Sequence, residues 1–203
     1  MTRPSGASAR RCVAMGGRGV ETVAAAMSWT LALLLQHPAV LADVVDEARG
    51  FMPGPDGSVP ALPRLSACID EALRLFPPAH SVGRRAIADV DVGGFFVPQG
   101  SVVLLSLVAM HRRADLWPEP ARFDPDRFVT TPRPAGYLPF GVGLRGCIGR
   151  HMALLEARVC LAVLLQRVAW TPTSTTLPPC DTVITIRPRG GLWVHGRRRA
   201  VEG

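Results

Sequence analysis

The chain carries the sequence FGVGLRGCIG at residues 140–149, directly before a long amphipathic run. We call these ten residues the cysteine loop. In the run that follows, apolar residues recur at helical spacing, at Ile148, Met152, Leu155, Val159 and Val163. The spacing predicts a helix that starts just after Cys147. Free backbone N–H groups at a helix N-terminus favour a thiolate.

The other residues of the cysteine loop favour a flat, bulky ligand. Glycines surround Cys147, so the backbone can turn tightly and approach such a ligand without Cβ atoms in between. Arg145 offers a fixed fork of donors for a carboxylate. A thiolate, a glycine-bare surface and this arginine together suit a haem held by its iron and one propionate. The alternative is a buried structural cysteine at a glycine-rich turn.

The loop resembles the haem-binding signature of the cytochrome P-450 family. The pattern F-x-x-G-x-R-x-C-x-G matches Phe140, Gly143, Arg145, Cys147 and Gly149 at every specified position. The resemblance implies haem b (iron protoporphyrin IX) as the cofactor, with Cys147 as the proximal thiolate ligand of its iron. It also implies that Arg145 pairs with a propionate and that Phe140 packs beside the ligand loop.

A second motif is Glu71-Ala-Leu-Arg74, whose spacing puts the carboxylate and the guanidinium on one face of a helix. Such pairs are common on protein surfaces and by themselves decide nothing. The Glu71–Arg74 motif is similar to the family's E-x-x-R motif. In the family this motif is buried below the haem and joined by an arginine from the segment before the cysteine loop. The resemblance implies that Glu71, Arg74 and Arg127 form this structural triad.

Residues near the start of the chain resemble the family's oxygen-activation motif, G-x-[DE]-T. Gly19, Glu21 and Thr22 match it, whereas Arg18 stands where the family has a small residue. The resemblance implies that Glu21 and Thr22 are catalytic and steer protons to the distal side of the haem. Read without the resemblance, they are an ordinary helix start with a first-turn acid.

Two more residues are predicted at the haem edge by resemblance. Arg84 is similar to the family's second propionate-binding arginine, and His111 to a polar residue near the same edge. Without the resemblance, Arg84 is a surface residue beside Arg85.

The net charge of +7 comes from arginines alone, because the chain has no lysine. The arginines are scattered, as on a solvated surface, and no nucleic-acid-binding motif accompanies them. A basic nucleic-acid-binding protein is therefore the weakest alternative. The five cysteines are odd in number and widely spaced, and they favour a reducing cytoplasm over a disulfide framework.

We expect a cytoplasmic protein without a membrane partner. Residues 1–19 lack the apolar segment of a signal peptide. The longest apolar run, residues 24–35, is shorter than the roughly 20 residues that cross a bilayer.

The predicted fold class is mainly α with a small β-sheet, the C-terminal half of the cytochrome P-450 fold. Helices are predicted at 20–36, 39–49, 62–76 and from 148 to about 170. Strands are predicted at 90–92, 95–97 and 102–107, and a hairpin at 183–194. Residues 1–18 are expected to be a poorly ordered or atypical N-terminus, because glycines at 16, 17 and 19 oppose a helix. The haem-binding region is 19–196, and 197–203 form a basic tail.

The activity implied by the resemblance is monooxygenation of a small organic substrate, with electrons from a ferredoxin or flavodoxin-like redox partner. A family member has a further N-terminal half, which roofs the substrate pocket. The first alternative is therefore a truncated, non-catalytic haem-binding fragment, and we expect little turnover from the 203-residue chain alone.

Overall fold

The longest helix, α1 (Gly6–Gln36), lies at the centre of the fold. The structure is a computed structural model that describes residues 6–130, 133–182 and 184–199, with side chains from residue 19 onward. Trp29 and Leu34 of α1 are fully buried. The helix contacts α2 (Pro38–Arg49), α3 (Pro63–Leu75) and α5 (Arg150–Arg167), which complete the main core.

The helix α1 begins 14 residues before the predicted start at residue 20, so that prediction is wrong. Each glycine inside a helix costs about 1 kcal/mol relative to alanine, and the sequence argument rested on this cost. Once the apolar turns after residue 20 are packed, however, every residue added to the helix gains a backbone hydrogen bond. The prediction that residues 1–18 are poorly ordered concerns residues that are only partly described. Residues 1–5 and the side chains of residues 6–18 lie outside the described part of the chain.

Proline and glycine set the limits of the next two helices. Pro38 and Pro63 occupy the first turns of α2 and α3, where a missing N–H costs nothing. The C-cap of α2 is Gly50, and α3 ends at Leu75, two residues before Pro77. Both helices lie within one residue of their predicted limits. The helix α3 is packed so deeply that even its charged residues Asp70, Glu71 and Arg74 are buried.

The described strands form four separate two-stranded antiparallel sheets. The strand β1 (Ser81–Arg85) pairs with β4 (Val102–Ser106), and β2 (Val90–Val92) pairs with β3 (Phe95–Val97). The strands β2 and β3 match their predictions, and β4 ends one residue early. The sequence analysis missed β1, so the predicted small sheet is two sheets that share no strand. A short helix, α4 (Leu107–Met110), follows β4.

The predicted hairpin over 183–194 is wrong. The strand β6 (Cys180–Asp181) pairs with β7 (Arg187–Pro188), and β5 (Val168–Pro172) pairs with β8 (Val194–Arg198). Residue 183 lies outside the described residues. The Ile186 N–H donates to Pro78 O at 3.0 Å, and Ile186 O accepts from the Trp29 indole at 3.2 Å. These bonds use the backbone groups that a hairpin would need.

The predicted basic tail is partly structural. Arg197 and Arg198 belong to β8 and pair with Ala169 and Val168 of β5. The backbone N–H of Arg199 donates to Arg167 O at 2.8 Å, and its Nε donates to Leu165 O at 3.0 Å. These carbonyls lie at the C-terminus of α5, where a cation is favoured. Residues 200–203 lie outside the described residues.

One stretch of α1, Gly19–Gln36, is long and apolar enough to cross a membrane by length and composition. This stretch is longer than the apolar run at residues 24–35 because it includes further residues at both ends. Half of it is buried in the structure, against the other core helices and against β7.

Candidate functional site

Two left-handed glycines shape the cysteine loop. Gly141 has φ +67° and Gly143 has φ +70°, values that side chains with a Cβ rarely adopt. A single 3-10 turn, Gly143–Arg145, follows. The chain then closes back on itself, because the Cys147 N–H donates to Phe140 O at 2.9 Å. The loop thereby presents Cys147 at the surface, two residues before Gly149, the N-cap of α5.

The surface around Cys147 is apolar and open. Leu144 and Ile148 are 107% and 87% exposed, although leucine and isoleucine are usually buried in folded proteins. Arg145 is also exposed and makes no ion pair with any described residue. An exposed thiol, bare glycine backbone, exposed apolar side chains and a free guanidinium fit a flat apolar ligand with a carboxylate at its edge, such as haem.

Phe140 joins the cysteine loop to the protein interior. Its half-buried ring packs against the main core cluster, and the guanidinium of Arg150 lies 5.8 Å from its centre. The loop therefore has one face fixed in the core and the other face open. No group of three or more potential ligands (His, Cys, Asp or Glu) occurs among the described residues, so Cys147 would be a lone protein ligand to a metal.

The structure brings the three triad residues together. Arg74 donates from Nε to Glu71 Oε2 at 2.7 Å and from Nη2 to Glu71 Oε1 at 2.8 Å, with both side chains fully buried. We call this the buried ion pair. Arg127 donates from Nε to Glu71 Oε1 at 3.2 Å and is nearly buried. A buried carboxylate with two guanidiniums is the arrangement that the resemblance implied.

Backbone groups complete the hydrogen bonding of the buried ion pair. Arg74 Nη1 donates to His111 O at 2.8 Å and to Pro120 O at 2.7 Å, and Nη2 donates to Arg122 O at 3.1 Å. The Asp124 N–H donates to Glu71 Oε1 at 2.9 Å. Burying charge is costly unless these bonds are made. The pair thereby holds the segment that leads toward the cysteine loop.

A neighbouring cluster was missed by the sequence analysis. The Tyr137 hydroxyl donates to Asp70 Oδ1 at 2.9 Å, and Arg133 forms an ion pair with the same carboxylate. Burial raises the pKa of Tyr137 well above its usual value, and the neighbouring Asp70 charge raises it further. The signal in the sequence was slight: Tyr137 is the chain's one tyrosine, three residues before Phe140, and Asp70 precedes Glu71.

His111 has no free ring nitrogen for a haem edge, and its predicted place near that edge stays a prediction. Its side chain is fully buried. Both ring nitrogens are used by backbone groups: Nδ1 lies 3.2 Å from Arg74 O, and Nε2 accepts from the Leu138 N–H at 2.9 Å. No ring donor remains for a propionate.

Arg84 lies on β1 with its side chain exposed. Its Nη1 donates to the carbonyl of its neighbour Gly83 at 2.9 Å, and it makes no ion pair with any described residue. The guanidinium is thus available to an external carboxylate, and its role at a haem stays a prediction.

Glu21 and Thr22 have partners of their own. Glu21 forms an ion pair with Arg187 at 3.5 Å, and both side chains are half-exposed. Arg187 also pairs with Asp181 at 3.0 Å. The Thr22 hydroxyl donates to Gly19 O at 3.1 Å, one turn back in α1. The catalytic role of Glu21 and Thr22 stays a prediction, and the side chain of Arg18 lies outside the described residues.

Comparisons with known proteins agree on one family. A family model described as Cytochrome P450 matches residues 9–194. A cytokinin hydroxylase of Arabidopsis thaliana is 34% identical over 183 residues, which is 86% of this chain and 35% of that protein. The putative cytochrome P450 135B1 of Mycobacterium tuberculosis (strain ATCC 25618 / H37Rv) is 39% identical over 176 residues, which is 85% of this chain and 36% of that protein.

Solved structures give the same result. The crystal structure of the cytochrome P450DA heme domain superposes with a TM-score of 0.78 at 34% identity. The match covers 89% of this chain and 42% of that one. The chain therefore spans little more than a third of the length of the curated relatives it matches.

Proposed function

Because the chain belongs to the cytochrome P-450 family, whose members use haem b, we propose that it provides the haem-binding region of a haem-thiolate monooxygenase. The main observation that supports this proposal is the exposed Cys147 thiol at the end of a glycine-rich loop. The buried ion pair holds the segment that leads to this loop. When bound, a thiolate-ligated haem supplies the O–O cleavage and oxygen-insertion chemistry.

The protein's own residues would bind and orient this group. Cys147 would ligate the iron, Arg145 would pair with one propionate, and Arg84 is the candidate for the other. The positive φ of Gly143 lets the loop turn without a Cβ, and Gly149 leaves the space beside the sulfur free of a methyl group. Glu21 and Thr22 would hold and move a proton on the opposite face, at a carboxylate oxygen and a hydroxyl.

The reduced, carbon monoxide-bound absorption spectrum tests this proposal. A thiolate-type Soret band is expected from the haem-loaded chain and should be lost in Cys147→Ser. Cys160→Ser is the matched control, because Cys160 is half-buried within α5, away from its start. A thiolate band that survives in Cys147→Ser would overturn the assignment.

A second candidate is a non-catalytic haem-binding fragment. It is supported by the short share of the relatives' length and by the exposed apolar residues of β4, where Val102 and Leu104 are 58% and 70% exposed. Surfaces of this kind usually pack against another element. Steady, coupled product formation by the purified 203-residue chain would exclude this candidate, whereas a thiolate band without turnover would favour it.

An acidic redox partner is also proposed, of the ferredoxin or flavodoxin-like kind. The exposed Arg150, at the start of α5 and close to Cys147, would attract negative charge, increasing the association rate more than the affinity. Electron transfer from such a partner should therefore slow as salt is added. Rates independent of ionic strength would remove this part of the proposal.

The widely spaced cysteines support a cytoplasmic location.

A further inference from the structure

We propose that His111 is a positioning residue that links the buried ion pair to the cysteine loop. The link itself is a matter of geometry, and only the statement that the loop holds a haem ligand rests on the proposed function. His111 touches neither Cys147 nor any reacting group; it acts through the backbone of Leu138.

The hydrogen bonds of His111 determine its tautomer. Nε2 accepts from the Leu138 N–H at 2.9 Å, so this nitrogen carries no proton. The proton of the neutral ring is therefore on Nδ1, which donates to Arg74 O at 3.2 Å. A single imidazole ring thus joins the α3 helix to the segment that directly precedes the cysteine loop.

Two further backbone bonds continue the connection to Cys147. The Gly141 N–H donates to Leu138 O at 3.0 Å, and the Cys147 N–H donates to Phe140 O at 2.9 Å. On the other side, the residue that accepts from His111 is Arg74, whose side chain is held by Glu71. A series of hydrogen bonds thus connects Glu71 to Cys147, through residues as much as 37 positions apart.

The surroundings of His111 keep the ring in place. Its centre lies 5.5 Å from that of Tyr137 and 6.4 Å from that of Trp117. Burial, more than the nearby charge of Arg74, lowers the pKa of His111 to about 4, although its hydrogen bond to Arg74 O opposes this shift. The ring is therefore neutral at pH 7, as an acceptor at Nε2 requires.

Two substitutions separate the two bonds of the ring. In His111→Gln, the side-chain amide reaches the position of Nε2 and can still accept from the Leu138 N–H. In His111→Asn, the shorter amide reaches the position of Nδ1 and can still donate to Arg74 O. Each variant loses one bond, so both should lose comparable stability, but only His111→Asn cuts the link to the loop.

Hydrogen exchange of the haem-free chain, read by mass spectrometry over residues 138–147, tests the link without any cofactor. His111→Asn should speed exchange in this segment about tenfold more than His111→Gln does, as expected for the loss of one buried hydrogen bond. His37→Asn is the control, because His37 contacts Leu33 O and lies outside this segment. Equal acceleration in both His111 variants would overturn the proposal.

Two more measurements cover the remaining outcomes. If neither variant folds, nitrogen-15 NMR of the wild-type imidazole decides: the Nδ1–H tautomer is expected, and an Nε2–H tautomer would overturn the link. In haem-loaded protein, His111→Asn should lower the thiolate fraction of the carbon monoxide spectrum more than His111→Gln. If the wild-type protein binds no haem, the proposed function is wrong. The hydrogen-exchange experiment still tests the role of His111, because it uses the haem-free chain.

Discussion

The carboxylate of Glu71 and the guanidinium of Arg74 share two hydrogen bonds of 2.7 and 2.8 Å, and neither side chain is exposed. The same i, i+3 spacing occurs at Glu119 and Arg122, where the two side chains meet at 2.8 Å but are 67% and 61% exposed. The two pairs share their spacing but differ in setting. Glu71 and Arg74 lie on α3 and make two hydrogen bonds in the interior, whereas Glu119 lies outside any helix at φ +48° and makes one hydrogen bond to Arg122 at the surface.

Glu71→Ala should destabilise the chain by about 3 to 5 kcal/mol, because it leaves the buried Arg74 without its carboxylate. The free energy of unfolding in urea measures this loss. Glu119→Ala is the control and should leave the urea midpoint almost unchanged, since an exposed pair contributes little. Equal effects of the two substitutions would show that the Glu71 pair is not buried in solution.

Two glycines of the cysteine loop should respond differently to alanine. Gly143 has φ +70° and no neighbour within 4 Å of an added Cβ, so Gly143→Ala should cost about 1 kcal/mol through backbone strain alone. At Gly149, φ is −86° and an added Cβ would lie 3.9 Å from Cys147 Sγ, an ordinary contact.

Gly149→Ala should therefore preserve the stability of the haem-free chain but reduce haem incorporation, because the new methyl group stands beside the sulfur. Urea midpoints and haem titration followed by absorbance measure the two effects separately. Full haem loading of Gly149→Ala would indicate that the cofactor does not approach this glycine.

Stability should fall as the solution is acidified from pH 6.5 toward pH 4, partly because of His111. Its folded pKa of about 4 lies below the ordinary value of 6.5, so in this window the unfolded state binds a proton that the folded state does not. The contribution is fully present above pH 6.5 and amounts to about 3 kcal/mol. Urea denaturation at several pH values should show a smaller loss in His111→Gln.

Cys147 and Cys68 should differ in reactivity toward iodoacetamide. Burial raises the pKa of Cys68 to about 12, and its side chain is fully buried, so neither thiolate nor access is available. Mass spectrometry of the native haem-free chain should find Cys147 alkylated and Cys68 intact, with both alkylated in urea. Early labelling of Cys68 would indicate an open core.

The parts of the fold set by local sequence were predictable. The limits of α2 and α3 follow from Pro38, Gly50 and Pro77, and β2 and β3 follow from apolar runs around two glycines. The glycines at 93 and 94 both have positive φ, as a tight hairpin turn requires. The Glu71–Arg74 contact was also accessible, since three residues of spacing bring the pair together on any helix.

The errors come from contacts between distant residues. The segment around Ile186 has the composition of a strand, but its backbone bonds go to Trp29 and Pro78, more than 100 positions away. The enclosure of the His111 ring by Arg74 O and Leu138 N was likewise not predictable, because no local pattern indicates it. The ion pair of Glu21 with Arg187, 166 positions along the chain, also could not be read from local sequence.

The buried ion pair and Arg127 hold main-chain atoms rather than side chains in the segment before the cysteine loop. Five such atoms are fixed: the carbonyls of His111, Pro118, Pro120 and Arg122 and the amide of Asp124. Substitutions on the exposed surface of this segment would leave all five bonds intact, so its exposed positions are free to vary, unlike the buried Trp117 and Phe123. A one-residue insertion or deletion would displace several of them at once. Length, more than identity, is what selection should preserve here.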